Sequence, residues 1–196
     1  MDFSGSETCK AVMRAFAGEC QAHTRYLLAA KEAIAQQLHV LRQVFEFTAK
    51  QELTHAQLFA RHLQKNGITV LDAAEQYPVD PAGNLQAVLS AANQHELHEA
   101  DALYPAFAAK AAEEGFADIA ALFRGLAEIE RSHAERFAQF AELMQNDALF
   151  RDGEQTVWMC LNCGHLHTGT EPPQSCPVCG GVQGYAVRRI LAPFTQ

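Results

Sequence analysis

The sequence is short of several features, and each absence excludes a class of protein. It contains no run of about 18 apolar residues, so a membrane-spanning helix is not expected. Its N-terminus has no basic region followed by an apolar stretch, so no secretory signal is expected either. Basic residues are outnumbered, with 15 Lys and Arg against 23 Asp and Glu and a net charge of −8. Because phosphate binding needs concentrated Lys and Arg, we expect no nucleic-acid partner and no membrane partner. Since neither a membrane-spanning helix nor a secretory signal is expected, we expect a cytoplasmic protein.

Cysteine is scarce and unevenly placed. Four of the 6 cysteines form two Cys-x-x-Cys pairs near the C-terminus, Cys160 with Cys163 and Cys176 with Cys179. Disulfides are rare in a reducing compartment, so this spacing predicts a metal site instead. Two such turns can bring four thiolates around one ion in a tetrahedral arrangement. Spacing alone allows zinc or a single iron ion at this site.

Glycine and proline are sparse over residues 1–147, where Ala, Leu, Glu and Gln dominate, and this composition is typical of helices. The prolines and glycine of residues 68–84 predict a long crossover connection. Pro105 predicts a kink within the third helix, because proline lacks the N–H that a helix needs. Short, long and short connections favour a ferritin-like four-helix bundle with one long crossover. The pattern predicts helices near 5–36, 38–65, 85–114 and 116–146.

The composition changes after residue 147. Residues 148–156 are predicted to be a linker, and residues 157–196 a small unit of short strands rich in Gly, Pro and Cys. A unit of this size is too small to depend on its own core, so a bound metal is expected to hold it together. The chain is therefore predicted to be mainly α, with a small β metal-binding unit at its C-terminal end.

An acid and a histidine three residues apart occur twice, as Glu52 with His55 and Glu130 with His133. Residues i and i+3 share one face of a helix, and both pairs fall on the apolar stripe expected to face the bundle core. A single Glu-x-x-His is common on a solvated helix face, but two pairs in register argue for a buried cluster. Further acids lie on the apolar stripes of the other two helices, namely Glu19, Glu96 and Glu99.

Buried carboxylates in this number are prohibitive without a partner charge, and no matching set of Lys or Arg shares these stripes. Two divalent metal ions supply about four positive charges and accept oxygen and imidazole ligands. A di-iron carboxylate bundle uses one Glu from each of two helices and a Glu-x-x-His pair from each of the others. The sequence supplies this set with one extra carboxylate, and it therefore predicts a dinuclear metal site within the bundle.

In its motifs the chain resembles the rubrerythrin family over nearly its whole length. The resemblance rests on GECQAHTRY around Glu19, QELTH around Glu52, ELHEADALYP around Glu96 and Glu99, and EIERSH around Glu130, followed by the four tail cysteines. It implies a non-haem di-iron site that reduces hydrogen peroxide to water. It also implies a one-iron rubredoxin-like centre, with zinc an alternative occupant in recombinant protein. This centre would relay electrons from a separate NAD(P)H-linked reductase or a rubredoxin-type donor.

The resemblance also implies a role for each residue of the di-iron site. Glu52 and Glu130 would bridge the two irons. Exchange between His55 and Glu99 on one iron would let the charge of the site follow its oxidation state. The remaining roles are terminal ligands for Glu19 and Glu96, a ligand to the other iron for His133, and hydrogen-bond donors to ligating carboxylates for Tyr26 and Tyr104.

The lengths of the helices bear on how the two metal sites communicate. A helix of about 30 residues is about 45 Å long, and the tail leaves one end of the bundle while Glu52 and Glu130 lie near mid-helix. We therefore expect a head-to-tail homodimer in which the tail of one chain serves the other. The segment AIAQQLHV separates the first two helices where the family often has glycine, and it allows helices to exchange between subunits.

Two alternative functions stay open on the sequence. One is a ferritin-like ferroxidase or iron-handling protein, since the same bundle can oxidise Fe(II) with O2. A dedicated thiolate relay argues against it, because ferroxidation draws its electrons from the iron itself. The other is a zinc-ribbon binding module on a helical scaffold, which the acidic balance and the interior carboxylates oppose.

Overall fold

Long α-helices make up most of the fold, which the computed structural model describes over residues 2–72, 76–81 and 83–192. In this part of the chain the α-helices are α1 (Glu7–Ala35), α2 (His39–Lys65), α3 (Leu85–His98), α4 (Tyr104–Glu113) and α5 (Ala117–Gln145). α1 pairs with α2, and α5 pairs with the rod made by α3 and α4. The predicted four-helix bundle with one long crossover is confirmed. Residues 73–75 and 82 of that crossover, and residues 193–196 of the predicted tail unit, lie outside the described residues.

A side-chain cap marks the start of α1, and a tight turn separates α1 from α2. α1 begins after Ser6, whose Oγ accepts a hydrogen bond from the Cys9 N–H at 3.0 Å. No glycine lies between α1 and α2, so Gln37 itself takes the left-handed conformation, with φ at 59°. The Leu38 N–H bonds to the Ala33 carbonyl at 2.8 Å and closes the end of α1. None of the described helices is both long and apolar enough to cross a membrane.

The third rod is interrupted beside Pro105, although not by the simple kink that the sequence predicts. Glu99–Leu103 form a π-helical turn between α3 and α4. The Tyr104 N–H donates to the Glu99 carbonyl five residues back, so the wider turn rearranges the hydrogen bonds ahead of the proline. Pro105 then occupies the first turn of α4, where a missing N–H is tolerated. π-Helical turns are frequent at functional sites, and this one begins at an acid of the predicted metal cluster.

The bundle core consists of two apolar clusters with a layer of buried acids between them. One cluster includes Tyr26, Phe45 and Phe137, and the other includes Phe59 and Phe123. Along α1, α2, α5 and the α3–α4 pair, one buried acid separates the residues of one cluster from those of the other. These acids are Glu19, Glu52, Glu96 and Glu130, each at most 1% exposed. Aromatic packing on both sides therefore fixes the layer and shields it from solvent.

The C-terminal unit is a three-stranded antiparallel sheet that packs against the bundle. Its strands, in the order β2-β1-β3, are β1 (Thr156–Cys160), β2 (Leu166–Gly169) and β3 (Ala186–Arg188). Trp158 is buried, and its Nε1–H donates to the Gly169 carbonyl at 2.9 Å. Leu149 and Val187 belong to the same apolar cluster as Phe140 of α5. The unit boundaries at 147 and 156 stay a prediction, because the apolar core runs across them.

The tail contacts the turn between α1 and α2 and the first residue of α2. The ring of Tyr185 stacks on that of His39, with centroids 3.8 Å apart and planes inclined by 12°. Gly184 approaches so closely that a Cβ on it would lie 1.7 Å from the Gln37 carbonyl oxygen. Close-packed backbone cannot retreat from such a clash without wider rearrangement. This position therefore requires glycine for reasons of space.

Gly184→Ala is expected to lower the free energy of unfolding by about 3 kcal/mol or more, because the tail must shift on the bundle to relieve the clash. Urea unfolding of the metal-loaded protein, followed by Trp158 fluorescence, measures the change. Gly153→Ala is the matched control, since a Cβ there meets nothing within 4 Å. Equal stability of the two variants would mean that this docking contact contributes nothing to the fold.

Candidate metal centres

The buried acids and two histidines converge on one polar centre between the apolar clusters. They form two groups, and within each group one ligand atom per residue lies within 4.8 Å of the others. The groups are Glu19, Glu52, His55 and Glu130, and Glu52, Glu96, Glu130 and His133. Glu52 and Glu130 are common to both. Two overlapping groups that share two carboxylates fit two adjacent metal ions, and mixed oxygen and imidazole donors suit iron.

The two imidazoles lie on either side of the shared carboxylates in similar positions. His133 Nδ1 lies 2.8 Å from Glu130 Oε2 and 2.9 Å from Glu52 Oε1. His55 Nδ1 lies 3.0 Å from Glu130 Oε1 and 3.1 Å from Glu52 Oε2. The rings are nearly parallel, inclined by 15° with centroids 5.6 Å apart. The Glu-x-x-His repeat of the sequence thus becomes a nearly symmetric pair of half-sites.

Several atoms of this centre are buried yet have no hydrogen-bond partner among the residues that the structure describes. They are Glu52 Oε1, Glu96 Oε2, both carboxylate oxygens of Glu130, and His133 Nδ1. His133 Nδ1 is close to two carboxylate oxygens, yet its geometry does not make a hydrogen bond to either. Lone pairs that share a buried space without donors are costly unless a cation binds among them. On this observation the residues fit a di-iron site.

A supporting group that the sequence analysis missed fixes the orientation of His133. His133 Nε2 lies 3.1 Å from Gln51 Oε1, which can only accept, so Nε2 carries a proton and Nδ1 is the nitrogen left to bind a metal once it is deprotonated. Arg136 Nη1 donates to the same Gln51 oxygen at 3.3 Å and to Thr48 Oγ1 at 3.0 Å. The sequence does contain a signal for these contacts. Arg136 is three residues after His133, and Gln51 is three after Thr48, so each pair shares a helix face.

Both tyrosines singled out in the sequence donate hydrogen bonds to acids of the centre. The Tyr26 hydroxyl donates to Glu96 Oε1, and the Tyr104 hydroxyl donates to Glu19 Oε1. Burial and the neighbouring carboxylates raise the pKa of each tyrosine well above its usual value. Each phenol therefore stays protonated and holds one carboxylate oxygen, which leaves the other oxygen free to face a metal.

Glu99 is the one acid of the predicted set that lies outside both ligand groups. Its Oε1 is directed towards α1, where a Cβ on Gly18 would be 3.9 Å away. His55, its predicted exchange partner, is inside the first group. Burial and the charges of Glu96 and Glu19 raise the pKa of Glu99 well above its usual value. The exchange of His55 for Glu99 stays a prediction.

The ionisable groups of the centre shift one another's pKa values. Burial and the charge of Glu52 raise the pKa of Glu96 to about 8. Burial and the charge of Glu130 raise the pKa of Glu19 well above its usual value. Burial also acts to raise the pKa of Glu52, but the adjoining imidazoles of His133 and His55 outweigh it and hold that pKa at about 2. Burial acts to lower the pKa of His133, yet the adjoining carboxylates raise it to about 11.

Loading the bundle with two metal ions at pH 7 is expected to release roughly two to four protons per chain. The pKa values of His133 and His55 are raised by their carboxylate partners, so both imidazoles must lose a proton to bind. Glu19 and Glu96, whose pKa values are also raised, release theirs as well. Metal affinity should therefore fall as the pH falls. Titration calorimetry in buffers of different ionisation enthalpy counts the protons, and a count of zero would contradict this account.

The four tail cysteines form a second, separate centre, with their sulfurs within 4.8 Å of one another. The Sγ atoms of Cys160 and Cys179 are 3.8 Å apart, and those of Cys163 and Cys176 are 3.7 Å apart. A tetrahedron with metal–sulfur distances of about 2.3 Å has edges of about 3.8 Å. A hydrogen bond from Asn162 Nδ2 lowers the pKa of Cys179 to about 6. The cluster fits the single iron of a rubredoxin-like site.

Comparisons with known proteins match both parts of the chain. The family model described as Rubrerythrin matches residues 10–141 and 87–156, and that described as Rubrerythrin, rubredoxin-like domain matches residues 158–185. Rubrerythrin of Porphyromonas gingivalis is 37% identical over 181 residues, which cover 92% of this chain and 89% of that protein. Rubrerythrin of Nitratidesulfovibrio vulgaris is 35% identical over 175 residues, with 89% and 90% covered.

A solved structure agrees with the sequence matches. Nigerythrin in its fully reduced, all-ferrous state has a TM-score of 0.62 and 26% sequence identity to this chain. The match covers 96% of this chain and 93% of that one. The likeness therefore extends over the helical bundle and the C-terminal sheet together.

Proposed function

This chain belongs to the rubrerythrin family, and from that premise we propose that it is a peroxidase that reduces hydrogen peroxide to water. The observation that supports this best is that one chain carries two separate centres of different chemistry. Carboxylates and imidazoles suit a redox-active iron pair that meets substrate, whereas four thiolates suit an iron that only passes electrons. A ferroxidase has no need of the second centre.

Each residue of the bundle centre has a defined task in this function. Glu52 and Glu130 would hold both irons, and the other members of the two ligand groups would hold one each. When bound, the iron pair supplies the two electrons that cleavage of an O–O bond requires. Tyr26 and Tyr104 keep the carboxylates of Glu96 and Glu19 oriented and remain protonated. The apolar clusters above and below exclude bulk water from the centre.

Electrons would reach the tail iron from a separate NAD(P)H-linked reductase or a rubredoxin-type donor, in a cytoplasm that keeps the thiols reduced. Within one chain the tail packs on His39 through Tyr185, and Glu52 lies 13 residues further along α2, a distance of about 20 Å. A head-to-tail homodimer, with or without exchanged helices, would bring the tail of one chain closer to the bundle centre of the other. We propose this assembly for the active protein.

The function is tested by mixing the fully reduced, iron-loaded protein anaerobically with one equivalent of peroxide per bundle centre, and separately with O2. The ferric-thiolate colour of the tail centre reports electron flow. The proposal expects peroxide to restore that colour much faster than O2. If O2 acts faster, or neither oxidant acts quickly, peroxidase activity is ruled out in favour of a ferroxidase or oxidase.

A further inference from the structure

A cavity of about 390 Å³ lies against the bundle centre, between α1, the π-helical turn and the crossover. Tyr26, Glu96 and Glu99 line its inner side. Glu96 also contributes a ligand atom to the second metal group, so the cavity and that group share one carboxylate. Glu99, which lies outside both metal groups, lines the cavity near Gly18. A molecule in this space would therefore sit directly next to the dinuclear centre.

The cavity is far larger than hydrogen peroxide requires. A water molecule takes about 30 Å³ in the liquid, and hydrogen peroxide roughly twice that. Sites for small organic molecules begin at about 300 Å³, which the cavity exceeds. The space exists because α1 presents short residues on this face, namely Ala15, Gly18 and Ala22. The sequence thus leaves room for an alkyl group beside the reacting oxygens.

Polar contacts between α1 and the crossover hold the outer side of the cavity in place. Arg25 donates from Nε and Nη2 to both carboxylate oxygens of Asp80, at 2.8 and 2.7 Å. Arg25 is 8% exposed, so this paired hydrogen bond is shielded from water. Gln21 Nε2 donates to the Pro78 carbonyl nearby. Defined contacts, rather than a loose gap, therefore maintain the space.

We propose that the centre also reduces small alkyl hydroperoxides, with the alkyl group held in this cavity. The inference rests on the proposed peroxidase function and extends its substrate class. One hydroperoxide, two electrons and two protons give one alcohol and one water, and the O–O bond is the bond that breaks. The electrons come from the donor through the four-cysteine centre, and the protons come from solvent. Polar residues such as Gln21 and His98 on the lining favour a short alkyl group over a long chain.

Gly18→Leu is the variant that fills the cavity. A Cβ at this position would make ordinary contacts, 3.8 Å from Tyr77 Cε1 and 3.9 Å from Glu99 Oε1, so the rest of the leucine extends into the open space. Gly125→Leu on α5 is the matched control, because Gly125 is exposed and a Cβ there meets nothing within 4 Å. Both exchanges replace a helical glycine by a better helix former, so neither is expected to impair folding.

Turnover is compared with tert-butyl hydroperoxide and with hydrogen peroxide. Gly18→Leu is expected to lower kcat/KM for the alkyl hydroperoxide roughly tenfold more than for hydrogen peroxide, while Gly125→Leu keeps the ratio of the unaltered protein. A second readout needs no turnover and uses the full-length protein loaded with zinc. Titration with tert-butanol should shift the methyl NMR signals of Leu103, which lines the cavity, in the unaltered protein and in Gly125→Leu but not in Gly18→Leu.

The outcomes separate the two proposals. If hydrogen peroxide is not reduced although tert-butanol binds, the peroxidase function is contradicted, and the extension to alkyl hydroperoxides with it. If hydrogen peroxide is reduced normally but tert-butyl hydroperoxide is not, or tert-butanol does not bind, only the inference about the cavity is overturned. Equal effects of Gly18→Leu on both oxidants would overturn it as well.

Discussion

Replacing Glu130 with glutamine is expected to empty the bundle of both metal ions while the four-cysteine centre keeps its own. Glu130 is fully buried and belongs to both ligand groups, and within the described part of the chain neither of its oxygens has a hydrogen bond. Glutamine keeps the shape but offers one oxygen and no charge, so both metal positions lose an anionic ligand. Loss of a hydrogen bond that supports a ligand already costs roughly 10–100-fold in metal affinity, and loss of a shared ligand costs more.

Metal analysis and absorption spectra of the purified variant measure the result. Iron should fall from about three per chain to about one, with the ferric-thiolate spectrum unchanged. The stabilisation gained from metal binding, about 4 kcal/mol at a metal concentration 1,000 times Kd, should disappear as well. Glu128→Gln is the matched control, because it removes the same charge from an exposed position on the same helix. Full iron content in Glu130→Gln would contradict the bridging assignment.

Much of this centre could be predicted because its ligands repeat along helices. A Glu and a His three residues apart must share a helix face, and an apolar stripe around them must be buried, whatever the details of packing. The positions of Glu52, His55, Glu130 and His133 follow from that argument alone. Whether His55 or Glu99 completes the first group does not follow, because side-chain rotation and local backbone geometry decide which of the two reaches it.

The π-helical turn shows where sequence reasoning ends. Pro105 shows that one backbone N–H is missing, but the sequence does not show how the helix compensates for the loss. A kink, a break and a wider turn all satisfy the same sequence. The structure has the wider turn at Glu99–Leu103, and Glu99 is the first residue of that turn. Local hydrogen bonding decides between these solutions, and no periodic pattern encodes it.

Supporting polar residues and the contact of the tail were missed for a different reason. Gln51 and Arg136 are polar residues on helices, and their residue types alone predict ordinary surface positions. Because the neighbouring His133 is buried, Gln51 becomes its hydrogen-bond partner, and Arg136 in turn donates to Gln51. The tail was expected to follow a linker, yet Leu149 within that linker is buried in the bundle core. The environment of these polar residues and of Leu149 depends on tertiary contacts, which the spacing of residues along the chain does not reveal.

Cys160→Ser is expected to abolish electron delivery while leaving the bundle centre intact. Cys160 is buried at the end of β1, and its Sγ belongs to the four-thiolate group. Serine is a poor ligand for this iron, because its hydroxyl stays protonated where a thiol ionises. Donor-dependent peroxide turnover should fall at least about 100-fold. Chemically reduced protein should still consume one equivalent of peroxide per bundle centre in a single turnover, because that step uses electrons already stored there.

Cys20→Ser is the control for this experiment, since Cys20 carries the same thiol on α1 and belongs to neither metal centre. It should retain donor-dependent turnover. The comparison also decides between the two enzyme functions. A ferroxidase takes its electrons from the Fe(II) that it oxidises, so loss of the tail iron should leave ferroxidation unchanged. If Cys160→Ser keeps its full donor-dependent rate, electrons do not pass through the four-cysteine centre, and the main argument for a peroxidase is lost.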